Sequence, residues 1–540
     1  MLRGRGKTCS VSQLTFPETR ETSSLSARCC LRRKRRERRE RRETRQQSRD
    51  EIIAFGISTT STSDSGGDGS SAHVWTDDVK AILLFALPAL GSSLASPLLS
   101  AIDTAVIGQC ATTIELAALG PSSTVFDSLG LIFAFLQVAS INKLAGLAGS
   151  GSQGEGEERR GEKRKAVTEF GVLSLFMGVA LMLGLLLGAG WIMAATTSQA
   201  SMEALGPAVL YTRIRAISVP AFIMQITMQG ILMGLSKDSV NPLIAVLISG
   251  LINTLGDVLL VGCLGTGIAG AAIATVFAQL VAASYLFVKV YQQVYESKEE
   301  EEEEEEEKEA MRLSLPPLGS LGPLLRESVP FLMMKVLTCV KVFFMNYMST
   351  MFGSSTLAAH LVALTVWRVL ILVGEPLSYA AQSFAPQYFK DFQQEEGGAG
   401  LADQGFYYIK LILGIGVGLS AVMFVVTRVG YVRLSTLFTQ DPLIRESARS
   451  VFNQVTLSVC IFPLLLSLEG SLLAIGRVKS LVYAMASNVL FMLCGWYLIH
   501  TLDYSLRGVW CMFSGMHSFY ALVMLAMIVA VRTRAKKKKL

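Results

Sequence analysis

Four oxygen-bearing side chains, Asp103, Asn253, Asp257 and Thr275, interrupt stretches of this chain that are otherwise oily. A charge at bilayer depth is expensive, so such residues mark ion or substrate pathways. Asn253 and Asp257 are four positions apart, which places them on one face of a helix. The turn that follows falls near Leu264 to Gly267, and Asp257 lies about as far before it as Thr275 lies after it. At ~1.5 Å per residue the two reach similar depth on antiparallel neighbours. Asp103 lies a similar distance before the far end of its own segment, at Gln109. Convergence of the four would suit two chemistries. Two carboxylates in one low-dielectric pocket cannot both stay ionised cheaply, so one takes up a proton. A carboxamide and a hydroxyl beside carboxylates also suit a hard cation such as Na⁺. A satisfied structural hydrogen-bond cluster is the plainer alternative.

The elements that must position them are membrane helices. The chain has 540 residues, of which 51% are hydrophobic and only 17% charged. Its charges are gathered into a few runs, whereas a soluble chain spreads them. Apolar stretches of about 20 residues or more can cross a ~30 Å hydrocarbon core as helices. Twelve are expected, near 80–108, 116–147, 167–195, 205–235, 240–262, 267–292, 324–352, 357–389, 405–430, 443–476, 480–500 and 507–532. Arg159, Arg160, Lys163, Arg164, Lys165, Lys237, Lys390, Arg477, Lys479 and Lys536 to Lys539 all fall on one side of that arrangement. Cations mark the cytoplasmic side or its topological equivalent, so both termini belong there. The nine cysteines show neither a disulfide framework nor zinc spacing.

Residues 1–78 read as a basic, polar, disordered arm. They carry no apolar signal-peptide core. The arm is either a plastid or mitochondrial transit peptide or a solvated basic segment lying on anionic headgroups. Its Arg-rich run mimics a nucleic-acid patch, but the rest of the chain is membrane-embedded and no nucleic-acid partner is expected. Residues 79–295 form a first six-helix lobe, 321–532 a second, and 533–540 a basic tail. Between the lobes, 296–320 is an acidic linker in which Glu299 to Glu307 are all Glu. Blocks of like charge stay solvated and flexible. A Ca²⁺ or basic-partner site is the alternative for that run.

The halves repeat. Leu87-Pro88 answers Val329-Pro330, Leu116-Ala117-Ala118 answers Leu357-Ala358-Ala359, and Gln229-Gly230 answers Glu469-Gly470, while Gly270 answers Gly508. The offset stays near 240 throughout. Six spans per half make the repeats parallel, related by an axis along the membrane normal, with a cavity between the lobes.

Asp103 within Ile102-Asp103-Thr104, the Asn253/Asp257 pair, and the stretch Gly267 to Thr275 together resemble the MATE (multidrug and toxic compound extrusion) family over roughly residues 80–530. Gly374-Glu375-Pro376-Leu377-Ser378 and Ala381 to Pro386 resemble its plant chloroplast-envelope and DinF-like branch. The resemblance implies an all-α polytopic membrane protein, with twelve transmembrane helices in two six-helix lobes around a central cavity. It also implies a cation-coupling site at Asp103, Asn253, Asp257 and Thr275. Several branches place a coupling Glu on the seventh span. Here that span is read as having no acid at all, with Lys335 and Lys341 instead, a reading that Glu327 near its start overturns. Lys341, Arg368, Glu375 and Glu469 are the candidates for a second-lobe charge network or substrate contacts, with Lys341 and Glu469 a candidate pair. Arg213 and Arg215 are expected at the interface.

The expected function is antiport, exporting small organic solutes, either xenobiotics or phenolic and carboxylate metabolites, against H⁺ or Na⁺. A plastid envelope is the favoured membrane, ahead of plasma or vacuolar membranes. No cofactor beyond the coupling ion and no catalytic residues are expected. Partners are the organic substrate and membrane lipid, and the protein is expected to be a monomer. The alternative from the same superfamily is a lipid-linked substrate flippase. A membrane enzyme would need a metal or nucleophile motif that the loops lack. A non-transporting receptor or scaffold would not need the polar pocket.

Overall fold

The computed structural model describes residues 69–148, 156–196, 199–295, 318–350, 354–389, 399–438, 442–502 and 505–539, and these are helical almost throughout. The acidic run and most of the basic arm lie outside the described residues. In chain order the first lobe contains α1 (Gly69–Cys110), α2 (Thr113–Ala148), α3 (Gly156–Thr196), α4 (Leu205–Ala216), α5 (Val219–Ser236), α6 (Val240–Asp257) and α7 (Gly267–Tyr295). The second contains α8 (Leu318–Thr350), α9 (Ser354–Ile371), α10 (Glu375–Phe384), α11 (Ala399–Phe438), α12 (Pro442–Ser450), α13 (Phe452–Ala474), α14 (Val478–Leu502) and α15 (Leu506–Lys539). The fourth span is α4 with α5, and the eighth is α9 with α10. The helix of the first span starts at Gly69, earlier than expected, because nothing from Ser70 to Asp78 breaks a helix. The last helix likewise carries the basic tail out to Lys539.

Among the described residues, ten spans are long and apolar enough to cross a membrane. The other two are α8 and the broken α9–α10 pair, which carry Lys335, Lys341, Arg368 and Glu375. The surface is inverted relative to a soluble protein. Leu187 and Trp191 on α3 are 86% and 80% exposed, facing where lipid would lie. Lipid tails are as apolar as leucine, so helices associate through close packing instead, which favours small residues at crossings.

Those crossings display the repeat. A Cβ on Gly230 of α5 would sit 2.5 Å from the Gln137 carbonyl oxygen of α2. A Cβ on Gly470 of α13 would sit 2.6 Å from the Ser378 carbonyl oxygen of α10. Both members of these contacts are related by the offset found in the sequence: Gln137 to Ser378, and Gly230 to Gly470. Each lobe is therefore built around the same glycine-mediated crossing of its second and fourth spans.

The apolar packing shows how the lobes meet. At the cationic end one cluster joins both lobes, with Phe135, Phe170 and Ile231 of the first and Phe389, Phe406 and Leu472 of the second. At the opposite end the clusters are separate. One gathers Ala118, Met193, Tyr211 and Ala271 in the first lobe. The other gathers Trp367, Val455, Trp510 and Phe513 in the second. Polar contacts reinforce the shared end. Asn142 Nδ2 donates to the Gln382 side-chain Oε1 at 2.6 Å, and Lys143 pairs with Glu327 at 2.9 Å. Phe384 receives the Phe85 ring edge and the Lys237 ammonium. The lobes are clasped at the cationic end and parted at the other.

Candidate functional site

The α6–α7 hairpin holds three of the four residues singled out in the sequence. Gly256 packs against Ala274 so closely that a Cβ would lie 2.7 Å from the alanine methyl. On antiparallel helices that contact leaves Asp257 and Thr275, each one residue further on, within about 3 Å of the same depth. Asp257 is 1% exposed and Asn253 6%. The Asn253 amide donates to Asp257 Oδ2 across 3.5 Å, a long contact. Thr275 donates its hydroxyl proton to the Ala271 carbonyl at 2.9 Å, leaving its lone pairs open to a cation. Asp257 ends the α-helical part of its span. Val258–Cys263 continue as a π-helical turn, closed by Leu264 N–H donating to Leu259 O at 2.9 Å. Such turns are rare and concentrate at functional sites. Asp103 lies on α1, but its side chain is outside the described residues.

Just beyond the hairpin, Glu115 ties two loops together. It forms a reciprocal cap with Thr112 at the start of α2: Thr112 N–H donates to Oε2 at 3.0 Å and Glu115 N–H donates to Thr112 Oγ1 at 3.3 Å. Its other oxygen, Oε1, accepts from Ile268 N–H at 3.0 Å, at the start of α7. Gly267 makes room for it, because a Cβ there would lie 2.0 Å from Oε1, and its φ of 60° also suits glycine. The Thr112 backbone N–H, opposed by partial burial and helped by the Ile268 N–H, holds the Glu115 carboxyl below its ordinary value of 4.5. A depressed carboxylate stabilises the fold above its ordinary pKa, and that contribution is lost as pH falls through the lower folded value. Glu115→Gln is therefore expected to melt lower than wild type near neutral pH. The gap should be under about 1 kcal/mol because the group is largely solvated, and should close below about pH 4.5. Melting curves of the two proteins across pH check this.

Asn253 and Thr275 face a cavity of ≈ 530 Å³ between the lobes. Its walls also carry Asp127, Arg215, Gln225, Gln229, Glu375 and Tyr379. Arg215 is not at a lipid interface as expected. Its guanidinium lies 4.1 Å over the Phe126 ring, and Nη1 donates to Tyr211 Oη at 3.4 Å. Arg215 Nε and Gln225 Oε1 are buried without hydrogen-bond partners among the described residues. Asp127 feels both Arg215 and Arg368 through space. Asp127 escaped sequence reading because an acid on a spanning helix has no neighbour pattern that separates a cavity wall from a snorkelling surface residue.

The second-lobe charges divide into two groups. Glu375 lines the cavity and accepts a 3.0 Å hydrogen bond from Ser93 of the first lobe. It shares an electrostatic neighbourhood with Lys335 and Glu469. Lys341, 8% exposed, acts on Glu469 through space, but the two are not in ion-pair contact; its ammonium lies 5.4 Å from the Tyr520 ring instead. Arg368 stands apart from this group, exposed and within electrostatic reach of Asp127. Among the described residues no cluster of His, Cys, Asp and Glu could hold a metal ion.

A family model described as MatE matches residues 330–498. The chain is 28% identical over 449 residues to Protein DETOXIFICATION 47, chloroplastic, of Arabidopsis thaliana, covering 83% of this chain and 77% of that one. It is 26% identical to Protein DETOXIFICATION 44, chloroplastic, of the same plant, covering 82% and 80%. DNA damage-inducible protein F of Escherichia coli is 28% identical over 204 residues, 38% of this chain and 42% of that one. Among solved structures, a MATE crystal structure in a bent conformation superposes with a TM-score of 0.70 at 17% identity, covering 87% of this chain and 99% of that one. An outward-facing multidrug resistance MATE transporter gives 0.66 at 17% identity, covering 85% and 97%. The chloroplast relatives favour a plastid membrane for this integral, multi-pass protein. In its helical lobes, and over most of its length, the chain is similar to the chloroplastic DETOXIFICATION proteins, and its fold is that of the MATE transporters.

Proposed function

We propose that the protein is a secondary-active antiporter that exports small organic solutes across the plastid envelope, coupled to H⁺ or Na⁺ through Asp103, Asn253, Asp257 and Thr275. The observation that carries this reading is Asp257. It is a carboxylate 1% exposed within a spanning helix, bonded to an asparagine that lines the cavity between the lobes. An ionised carboxylate in such a place is costly, so a proton or Na⁺ arriving there gains a large differential free energy. The lobes in turn supply two states for that energy to bias. They are clasped at the cationic end by Asn142–Gln382 and Lys143–Glu327, and parted at the other. An ion entering from the open side neutralises the site, solute leaves by that side, and the clasp then releases to reload from the cationic side. The aromatic and guanidinium lining, Phe126, Arg215 and Tyr379, suits xenobiotics and phenolic or carboxylate metabolites.

Transport in proteoliposomes tests this, with an imposed pH gradient, Na⁺ absent, and a panel of organic anions and cations. Solute flux driven by the proton gradient is the expected result. Flux that requires Na⁺ instead would make the pocket a sodium site. Flux with neither gradient would sink the antiport reading.

A further inference from the structure

Asp127 and Arg368 occupy equivalent places in the two lobes. They are 241 positions apart, the same spacing that separates Leu116-Ala117-Ala118 from Leu357-Ala358-Ala359 at the heads of the same two spans. A parallel repeat about the membrane normal sets them at one depth on facing walls. Yet one is an acid and the other a base. Asp127 lines the cavity with Ser123, Gly130 and Ala134. Arg368 lies one turn outward from Leu372, on the face that continues through the cavity residues Glu375 and Tyr379. That places it at the mouth, where the lobes have separate apolar cores.

The pair is poised but not made. Both side chains are exposed, and Arg368 acts on Asp127 through space. Among the described residues the two are not in ion-pair contact, and Asp127 has Arg215 of its own lobe as a second electrostatic neighbour. In an open mouth the charges are hydrated and attract each other weakly. If the walls approach and water leaves, the same two charges attract several times more strongly. Their interaction thus differs between the open and closed states, which is the requirement for biasing that equilibrium.

We propose that Asp127 and Arg368 close on each other as an inter-lobe ion pair that seals the mouth of the cavity when the cationic side opens. This rests on the alternating-access reading above. Asp127 then exchanges Arg215 for Arg368 as its principal cation once per cycle. The Asn142–Gln382 clasp and the Asp127–Arg368 seal are opposite ends of one rocking motion.

A cross-linking experiment tests the approach of the walls without needing any solute. The full-length protein carrying Asp127→Cys and Arg368→Cys is reconstituted and treated with a bifunctional methanethiosulfonate whose arm matches the reach of an Asp–Arg pair, because a direct disulfide needs Cα atoms within about 7 Å. Peptides linking positions 127 and 368 are then sought by mass spectrometry. Linkage is expected, and more of it when Gln382→Ala weakens the clasp. Its absence in both backgrounds would overturn the proposal, whether or not the protein exports anything. Charge exchange tests the pairing itself in the transport assay. Asp127→Arg and Arg368→Asp are each expected to slow turnover by about tenfold, the size of a weak interfacial charge pair, and the double exchange to restore most of it. A double variant no faster than the slower single one would show that the two charges do not pair.

Discussion

Exchanging Asp257 for Asn is expected to bring gradient-driven flux down to that of protein-free liposomes, while the variant still inserts and melts within a few degrees of wild type. Asparagine keeps the volume of the side chain and an oxygen facing Asn253, so the α6–α7 packing at Gly256 and Ala274 has no reason to change. What it removes is the group that can carry a proton or a full negative charge. A buried carboxylate is expensive to keep, and a structural hydrogen-bond cluster would work as well with an amide. Loss of flux with retained stability therefore separates a coupling role from a structural one. Asp103→Asn is expected to give the same result. Flux near the wild-type level in Asp257→Asn would show that the pocket is structural.

Gly230→Ala is expected to destabilise the protein by about 1–3 kcal/mol, the usual cost of forcing a methyl group into a packed core. The added carbon would sit 2.2 Å from Ser140 Oγ and 2.5 Å from the Gln137 carbonyl oxygen, and the backbone atom cannot swing away. Gly470→Ala should cost a similar amount, because it meets the Ser378 Cα and carbonyl oxygen at 2.6 Å. Gly184→Ala on α3 has nothing within 4 Å and should instead raise stability by up to ~1 kcal/mol through helix propensity. Thermal midpoints of the three variants in detergent check the contrast. Equal effects at all three would mean that the crossings yield more easily than these contacts imply.

The spans and the repeat were legible in the sequence because both depend on patterns that hydrophobicity alone writes: length of apolar run, loop cations, and small residues recurring at a fixed offset. The depth match of Asp257 and Thr275 was also legible, since a tight hairpin leaves little freedom in register. Side-chain partnerships were not. Lys341 and Glu469 looked like an ion pair, yet Lys341 lies against Tyr520, because which flank of a helix meets which neighbour is decided by tertiary packing. Arg215 looked interfacial for a related reason. A guanidinium near a helix end can reach headgroups or turn into a cavity, and Phe126, remote in sequence, is what holds it inward. Asp127 could be told from a snorkelling surface residue only once the cavity wall it lines was in place.

The π-helical turn at Val258–Cys263 has a geometric consequence for the acid beside it. A turn closed by i→i+5 bonds holds one residue more than its α-helical counterpart. Such an irregularity can travel along a helix as a ruck travels along a carpet, leaving both ends where they were. Each residue it passes turns by about 100°, one residue's share of a helical turn. Asp257 stands at its edge. A shift of the ruck by a single turn toward Asn253 would rotate the carboxylate from the buried seam to a different flank of the span, without lengthening the hairpin or disturbing the Glu115 tie at its tip.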